Sequence, residues 1–489
     1  MVIWSLDVEC EGHTMHRETP FRTSDVASAG ATSPIITPLN QIVTPFSRTS
    51  VSRRRAIQGG VAASSALAMP YFFSRRSSAQ GQSLKFWQFY SPGGDVATQA
   101  SWFEDTVGAW NEANEVQIEL VYMPVSEYVS GTQLATAFAS GAGPDIFLVS
   151  PGDFLRYYNG GVLTDLTPYL DPAAMADFLP DVIANRMVDD KVFGLPMEVE
   201  PMAMYYSVSA WNDAGLTDAD IPTTWEQLLG VADQLTTDER FGVMFETGPG
   251  YYQNFTWYPF MWQGGGELQG PDGKSGFNSD ASIQALRLWQ DAIRNGVAPR
   301  DILGTGGADI SANMIDGYTA MQNIGIWAIS ALKETAPDFE YGVFKLPLPP
   351  NGMDRTVLGG WAFVANARGT DPETAARFIV SSIGSMEDAA INRVLDWCTV
   401  SKSDMPPRTS VLDRANASGA YGSGPLQVFA EQILPSGRAE PRVPPEIYQA
   451  ISDAIQSCQL NDADSAQAAA TASQQIDAFL ATYTGAPIL

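Results

Sequence analysis

The chain has 489 residues, 45% of them apolar, with a formal net charge of −27 and a pI near 4.3. Single cores stop growing at about 250 to 300 residues, so two domains are expected. The acidity excludes nucleic acid and disfavours an anionic membrane surface, both of which recruit Lys and Arg. The combination of 17% charged residues with 12 Trp and 17 Tyr points to a folded protein with aromatic surface for a ligand, not to a disordered acidic tail.

Residues 1 to about 50 are rich in Thr, Ser and Pro without hydrophobic period. They read as a disordered extension, or as upstream of a true start near Val51. Ser52-Arg53-Arg54-Arg55-Ala56-Ile57 then precedes an apolar, small-residue run, Gly59 to Phe73, that ends near Ser77-Ser78-Ala79. This resembles a twin-arginine export signal cleaved near Ala79. The run is short for a membrane span and contains Pro70 and Gly-Gly, and no cysteine follows it for a lipid anchor. A soluble periplasmic protein is expected. His13 and His16 both fall in the leader, so the mature chain has no imidazole. Ser-His-Asp and Cys-His nucleophiles and His-ligated zinc are thereby excluded, and no metal or other cofactor is expected. Cys10 is lost as well, which leaves Cys398 and Cys458 as one disulfide or two free thiols.

From Leu84 strand and helix patterns alternate. Leu84 to Phe89 is β-prone, and Asp95 is positioned to cap a helix that carries Phe103, Val107 and Trp110 on one face. Val116 to Tyr122 is the next strand. Ser126 opens a helix to Ala139 that Gly141 and Gly143 end, and Asp145 to Val149 is a third strand. A βαβαβ order requires a parallel sheet covered by helices, with ligands beyond the carboxyl ends of its strands. Tyr90, Ser91 and the stretch from Ser150 to Asp153 are candidate contacts on that ground.

Val192 to Leu229 suits a segment crossing between two lobes. Glu198 and Glu200, two apart on an extended run, share a face at about 6.5 to 7 Å spacing. Tyr205-Tyr206 follow, and Thr224-x-x-Gln227 forms a capping box ahead of Leu228, Leu229, Ala232 and Leu235. A second αβ lobe contains Phe241 to Phe245, the aromatic stretch Tyr251 to Trp262, a hairpin at Gly270 to Lys274 and a helix from Ser282 to Asn295. Gly270 to Ser275 is not a phosphate loop, because Leu268 stands where its first glycine belongs. After the Pro-rich turn Leu346 to Pro350, a strand beginning at Val357 returns to the first lobe, and a helix starts at Asp371. Pro444 to Tyr483 is mainly helical.

The "GLP", acidic-aromatic and "TW-E-L" features of Gly194 to Leu228 resemble the signature region of family 1 extracellular solute-binding proteins, periplasmic receptors of ABC importers for sugars and related solutes. Gly143-Pro144-Asp145-Ile146 with Gly161 to Leu166, Gly264 to Leu268 with Phe277-Asn278-Ser279, Ala320 to Trp327, and Leu358 to Trp361 match further family segments in order. The resemblance spans most of residues 84–480. It implies an α/β, two-lobe periplasmic-binding-protein fold of type II, each lobe a mainly parallel sheet flanked by helices. Residues 80–198 and 358–415 would form one lobe, and 199–357 and 416–489 the other.

The resemblance also implies that Glu200 accepts from ligand hydroxyls, that Trp327 stacks on a ligand ring, and that the loop with Asp153 adds a polar contact. Trp361 stands where many members place a cleft aromatic or a bare backbone N–H, and Gly360 beside it is a further candidate contact. Trp257, Trp262, Glu198 and Arg408 complete the candidate set, with at least one residue of Trp257, Tyr258 and Trp262 expected in the core. Ser207 replaces the family's usual Asn, and no basic residue adjoins Asp153. The implied partners are a small-molecule solute, a carbohydrate or polyol, and ABC permease subunits, with the receptor a monomer. A polyamine held by acidic and aromatic groups is the alternative solute. Glycoside hydrolysis is the remote one, since neighbouring acids on one strand rarely flank a bond from opposite faces. Mass mapping of the exported protein should place its N-terminus near residue 80; a mature chain retaining Met1 would contradict the leader.

Overall fold

The computed structural model describes residues 83–488. The expected leader, with Cys10, His13 and His16, lies outside the described residues. The strands are β1 (Ser83–Gln88), β2 (Gln117–Tyr122), β3 (Ile146–Val149), β4 (Met187–Val188), β5 (Lys191–Val192), β6 (Leu195–Pro196), β7 (Glu200–Ser207), β8 (Phe241–Met244), β9 (Thr319–Gly325), β10 (Tyr341–Phe344), β11 (Thr356–Gly359), β12 (Ala362–Ala365) and β13 (Gly437–Ala439). The helices that matter most to the site are α1 (Ala97–Ala113), α2 (Pro151–Asn159), α3 (Trp225–Leu235), α4 (Tyr251–Gln263), α5 (Asp280–Arg294), α6 (Ala328–Thr335), α7 (Pro445–Gln459) and α8 (Ser465–Leu480).

Two sheets result. The first has the order β2-β1-β3-β12-β6, with β1 parallel to β2 and β3, and β12 antiparallel to β3 and β6. Its central strand, Ile-Phe-Leu-Val, is buried at every position, as expected of a strand covered on both faces. The second has the order β13-β11-β7-β9-β8, with β10 also on β7. It is mixed and not mainly parallel, because β7 runs antiparallel to β9, β10 and β11. Connectivity explains this. The chain enters β7 at the boundary between the lobes, whereas β8 and β9 end there, so β7 has to point the other way.

Each sheet has its own core. Phe86 packs edge-on against Phe103, Phe363 and Phe378 under the first, and Phe245 stacks on Trp289 at 5.0 Å under the second. Strand β7 is buried on both faces. Met202 and Met204 join the core with α3 to α5, while Ala203 and Tyr205 join a third cluster with Ile324 and Phe429. Cys398 lies in the first core and Cys458 in the second, both as free thiols. No helix among the described residues is long and apolar enough to cross a membrane.

Several elements differ from expectation. Thr224 and Gln227 do form the reciprocal capping box of α3, and Asp371 caps its helix. Asp95 does not cap α1. The preceding residue is Val96, and the free N–H of Ala97 instead donates to Glu334 of α6 at 2.9 Å. The helix expected from Ser126 to Ala139 is broken at Gly131, whose φ of +69° closes one turn and opens the next. The stretch from Val357 to Val364 is two strands in two sheets, because Gly360, at φ +124°, turns the chain between them.

Three segments connect the sheets and hydrogen-bond to one another. Met197 N–H donates to Trp361 O at 3.0 Å, and Val199 N–H to Met405 O at 2.8 Å. At Gly360 a Cβ would lie 2.5 Å from the carbonyl oxygen of Glu198 and would also have to adopt the positive φ. Gly360→Ala should therefore destabilise the fold by roughly 2 kcal/mol or more. A chemical-denaturation midpoint equal to wild type would show that the turn is not constrained as described.

Candidate interlobe ligand site

The first and third crossings enclose a buried ammonium. Lys402 Nζ lies 2.9 Å from Glu198 Oε1 and 3.3 Å from Asp404 Oδ2, and also contacts Glu200 Oε1. As the i, i+2 spacing implies, both glutamates reach the same cation. Glu198 is fully enclosed and holds three donors: Lys402, the backbone N–H of Trp361 at 3.1 Å and the indole of Trp397. Tyr90 and Trp397 place their rings 5.3 and 5.7 Å from the ammonium. Burial opposes charge on Lys402, but the surrounding carboxylates outweigh it and hold its pKa well above the ordinary lysine value. Glu198, Glu200 and Asp404 have one oxygen each within 4.8 Å of one another, a grouping suited to a metal ion by spacing alone. Lys402 already sits among them and supplies the positive charge.

At the carboxyl end of β3, Ser150 precedes α2 and Asp153 lies in its first turn. Asp153 accepts from Arg156 Nε at 2.7 Å, so a basic partner exists one helical turn away although none adjoins it in sequence. Both face Tyr448 of α7, across the lobe boundary. Trp361 is half-buried beside Phe89 and Tyr128, with ring centroids at 4.9 and 5.9 Å. Trp327 is half-buried on the second lobe, 6.3 Å from the rings of Tyr252 and Phe255. A Cβ on Gly325 would fall on the Trp327 ring, so that glycine makes room for it.

Not all candidates converge. Trp257 is fully buried against Phe277, and Trp262 stacks on Tyr258 beneath Arg438, so both belong to the second core. Arg408 is occupied inside the first lobe, donating to Asp177 at 2.7 Å, Ile383 O at 2.8 Å and Ser385 O at 3.0 Å. Ser91 is half-exposed after β1. Ser207 caps the short helix Val208–Asp213.

Lys402, Arg186, Glu246 and Glu440 escaped the sequence reading. Glu246 follows β8 and accepts from the backbone N–H of Gly248 at 2.6 Å and Gly307 at 3.0 Å. A strand followed by an acid was the available signal for it. Tyr90 OH, Ser150 Oγ, Arg186 Nε, Tyr252 OH and Glu440 Oε1 are buried without a hydrogen-bond partner among the described residues. Such atoms are expensive to leave unmatched, and a polar ligand is one way to match them.

Residues 94–381 match the model of the family described as bacterial extracellular solute-binding protein. A putative binding protein of Brucella abortus (strain 2308) is 23% identical over 397 residues, 78% of this chain and 91% of its own. A galactooligosaccharide-binding protein of Bacillus subtilis (strain 168) is 24% identical over 59% of this chain and 65% of its own. An ABC transporter solute-binding protein of Thermotoga lettingae, solved with α-D-tagatose, superposes with a TM-score of 0.70 at 22% identity, covering 82% of this chain and all of that one. The architecture is thus the type II periplasmic-binding-protein fold.

Burial raises the carboxyls of this region: Asp153 to about 6 despite Arg156, Glu200 to about 7 despite Lys402, Glu246 to about 7 despite its backbone donors, and Glu440 to about 8 despite Arg186. Each binds its proton more tightly folded than unfolded. Their stabilising contribution is complete below the unfolded values, near 4, and is lost as pH rises through about 6 to 8. The melting temperature of unliganded protein should fall between pH 5 and pH 8, and Glu200→Gln should flatten that fall. A melting temperature that climbs over this interval would contradict the assignment.

Proposed function

The chain belongs to the bacterial extracellular solute-binding protein family, and we propose that it captures a neutral carbohydrate or polyol between its lobes and delivers it to an ABC permease. The observations that support this most are the buried, unpartnered atoms Tyr90 OH, Ser150 Oγ, Tyr252 OH and Glu440 Oε1, together with a half-buried tryptophan on each lobe, Trp361 on the first and Trp327 on the second. A pyranose has apolar C–H faces that stack on indoles and a rim of hydroxyls that both donate and accept. Ligand contacts on both lobes stabilise the closed arrangement by their differential affinity for it.

The same reading makes the protein a receptor and not a hydrolase. Glu198 and Glu200 converge on one ammonium, which leaves them on the same side of any bond placed beside them. It further includes export by the twin-arginine route, a periplasmic location and a monomeric state. The acidic surroundings favour a polyamine as the second reading, since buried carboxyls outnumber the cations near them.

Calorimetric titration with maltotriose, raffinose, D-tagatose, glycerol and spermidine separates these readings. Saturable binding of a neutral sugar or polyol is expected. Binding of spermidine alone, or turnover of a glycoside, would overturn the carbohydrate assignment. Trp327→Ala should weaken sugar binding by about tenfold or more at unchanged melting temperature, and unaltered affinity would remove Trp327 from the site.

A further inference from the structure

The lobes meet along two edges that are built differently. At one, α1 of the first lobe begins without a cap of its own, since Val96 precedes it. Its first-turn groups are taken by α6 of the second lobe: Glu334 accepts from the N–H of Ala97 at 2.9 Å and from the hydroxyl of Thr98, and Ser330 Oγ accepts from Gln99 Nε2 at 3.3 Å. Ala97, Thr98 and Glu334 are all exposed. At the other edge, α2 of the first lobe faces α7 of the second. Arg442, just ahead of α7 and 2% exposed, donates across the boundary through Nη1 to Met187 O and lies 5.7 Å from the ring of Phe154 in α2. Through Nε it donates to Pro487 O at 3.1 Å. Pro487 belongs to a segment that leaves α8 and returns to the first lobe. There Ala486 is buried in the first core, Ile488 packs against both cores, and Asn159 at the end of α2 donates to Tyr483 OH at 3.0 Å and accepts from the N–H of Ala486 at 3.1 Å. Residues 481–488 thus form a strap, a fourth link between the lobes besides the three crossings.

Separation would cost little at the first edge and much at the second. The exposed bonds of Glu334 exchange for bonds to water at small net loss, and parting α1 from α6 returns both a helix N-terminus and the carboxylate that faced it to solvent. Parting α2 from α7 would strip a buried guanidinium of its acceptor oxygens and draw Ala486 and Ile488 out of apolar packing. The strap also keeps the two sides covalently joined there. We propose that the lobes part on one side only: the edge between α2 and α7, bound by Arg442 and the strap, is the pivot, and the edge between α1 and α6 is a clasp that Glu334 closes by capping the first turn of α1 from the opposite lobe. Such a pivot acts whichever solute the lobes close on.

Pulsed electron spin resonance distances on unliganded protein test this. Spin labels on Asp105→Cys in α1 and Asp338→Cys after α6 read the clasp edge, and labels on Thr132→Cys, beside α2, and Gln449→Cys in α7 read the pivot edge. All four positions are exposed and the native thiols Cys398 and Cys458 are buried. Glu334→Ala should lengthen and broaden the clasp distance while the pivot distance and the melting temperature stay as in wild type. Glu334→Lys, which sets a cation against a helix N-terminus, should do so more strongly, and it decides if the alanine variant fails to fold. Removing residues 483–489 should broaden the pivot distance; if the shortened chain does not fold, Asn159→Ala, which deletes both of its hydrogen bonds to the strap, takes its place. A clasp distance unchanged in the folded Glu334 variants, a pivot distance that lengthens along with it, or a pivot distance unaltered once the strap is released would overturn the one-sided opening. None of these outcomes depends on which solute binds, so the carbohydrate reading stands or falls separately.

Discussion

The buried ammonium of Lys402 is the constraint on which the joint between the lobes depends. A lysine so enclosed would lose its charge if unpaired, since burial alone pushes its pKa down. Three carboxylates reverse that outcome, and two of them, Glu198 and Glu200, lie on the first crossing while Asp404 lies on the third. Removing one partner of such a group costs about 3 to 5 kcal/mol, because the remaining charge stays buried. Glu198 then reaches the second crossing through the N–H of Trp361. One cation thereby fixes the relative placement of all three connecting segments, and Gly360 is the point at which the second can come close enough.

This joint is rigid at its centre while the outer contacts are lighter. Glu334 of α6 accepts from the first N–H of α1, which satisfies a helix-terminal donor from the opposite lobe. Arg156 and Asp153 meet Tyr448 in the same way at α2. The exposed contact at Glu334 contributes about 1 kcal/mol or less, while the contact between Asp153 and Tyr448 is buried and weighs more. An opening motion can give up the first, whereas it cannot give up the Lys402 cluster. Such a division suits a hinge whose closed state is decided by the ligand, because the balance between states is then within reach of binding energy.

The sequence revealed those parts that local rules govern. The strand-helix alternation from Leu84 to Val149, the capping box at Thr224 and the shared face of Glu198 and Glu200 all follow from short-range periodicity and cap chemistry. What lay beyond it were pairings at long separation. Lys402 is more than 200 positions from its glutamates, and nothing around it marks it as buried. Trp257 and Trp262 carry the same composition signal as Trp327, and only the packing of α4 against α5 decides that they are core. Val357 to Val364 has the pattern of one strand, and the turn that splits it between sheets is visible only as the positive φ of Gly360. The mixed direction of the second sheet follows from where the chain crosses, which composition does not encode.

The charge balance at the site bears on the kind of solute it suits. Glu198, Glu200, Asp404, Glu440 and Asp153 outnumber Lys402, Arg186 and Arg156. That excess would attract a cation if every acid were ionised. Burial instead lifts Glu200 to about 7 and Glu440 to about 8, so near neutral pH these carboxyls are partly protonated. A protonated carboxyl donates through one oxygen and accepts through the other. A group of side chains that carries both functions matches a hydroxyl, which also does both, without having to ionise against its own burial. A cation would have to supply the energy of that ionisation before gaining any attraction, which is why an acidic chain can favour a neutral ligand.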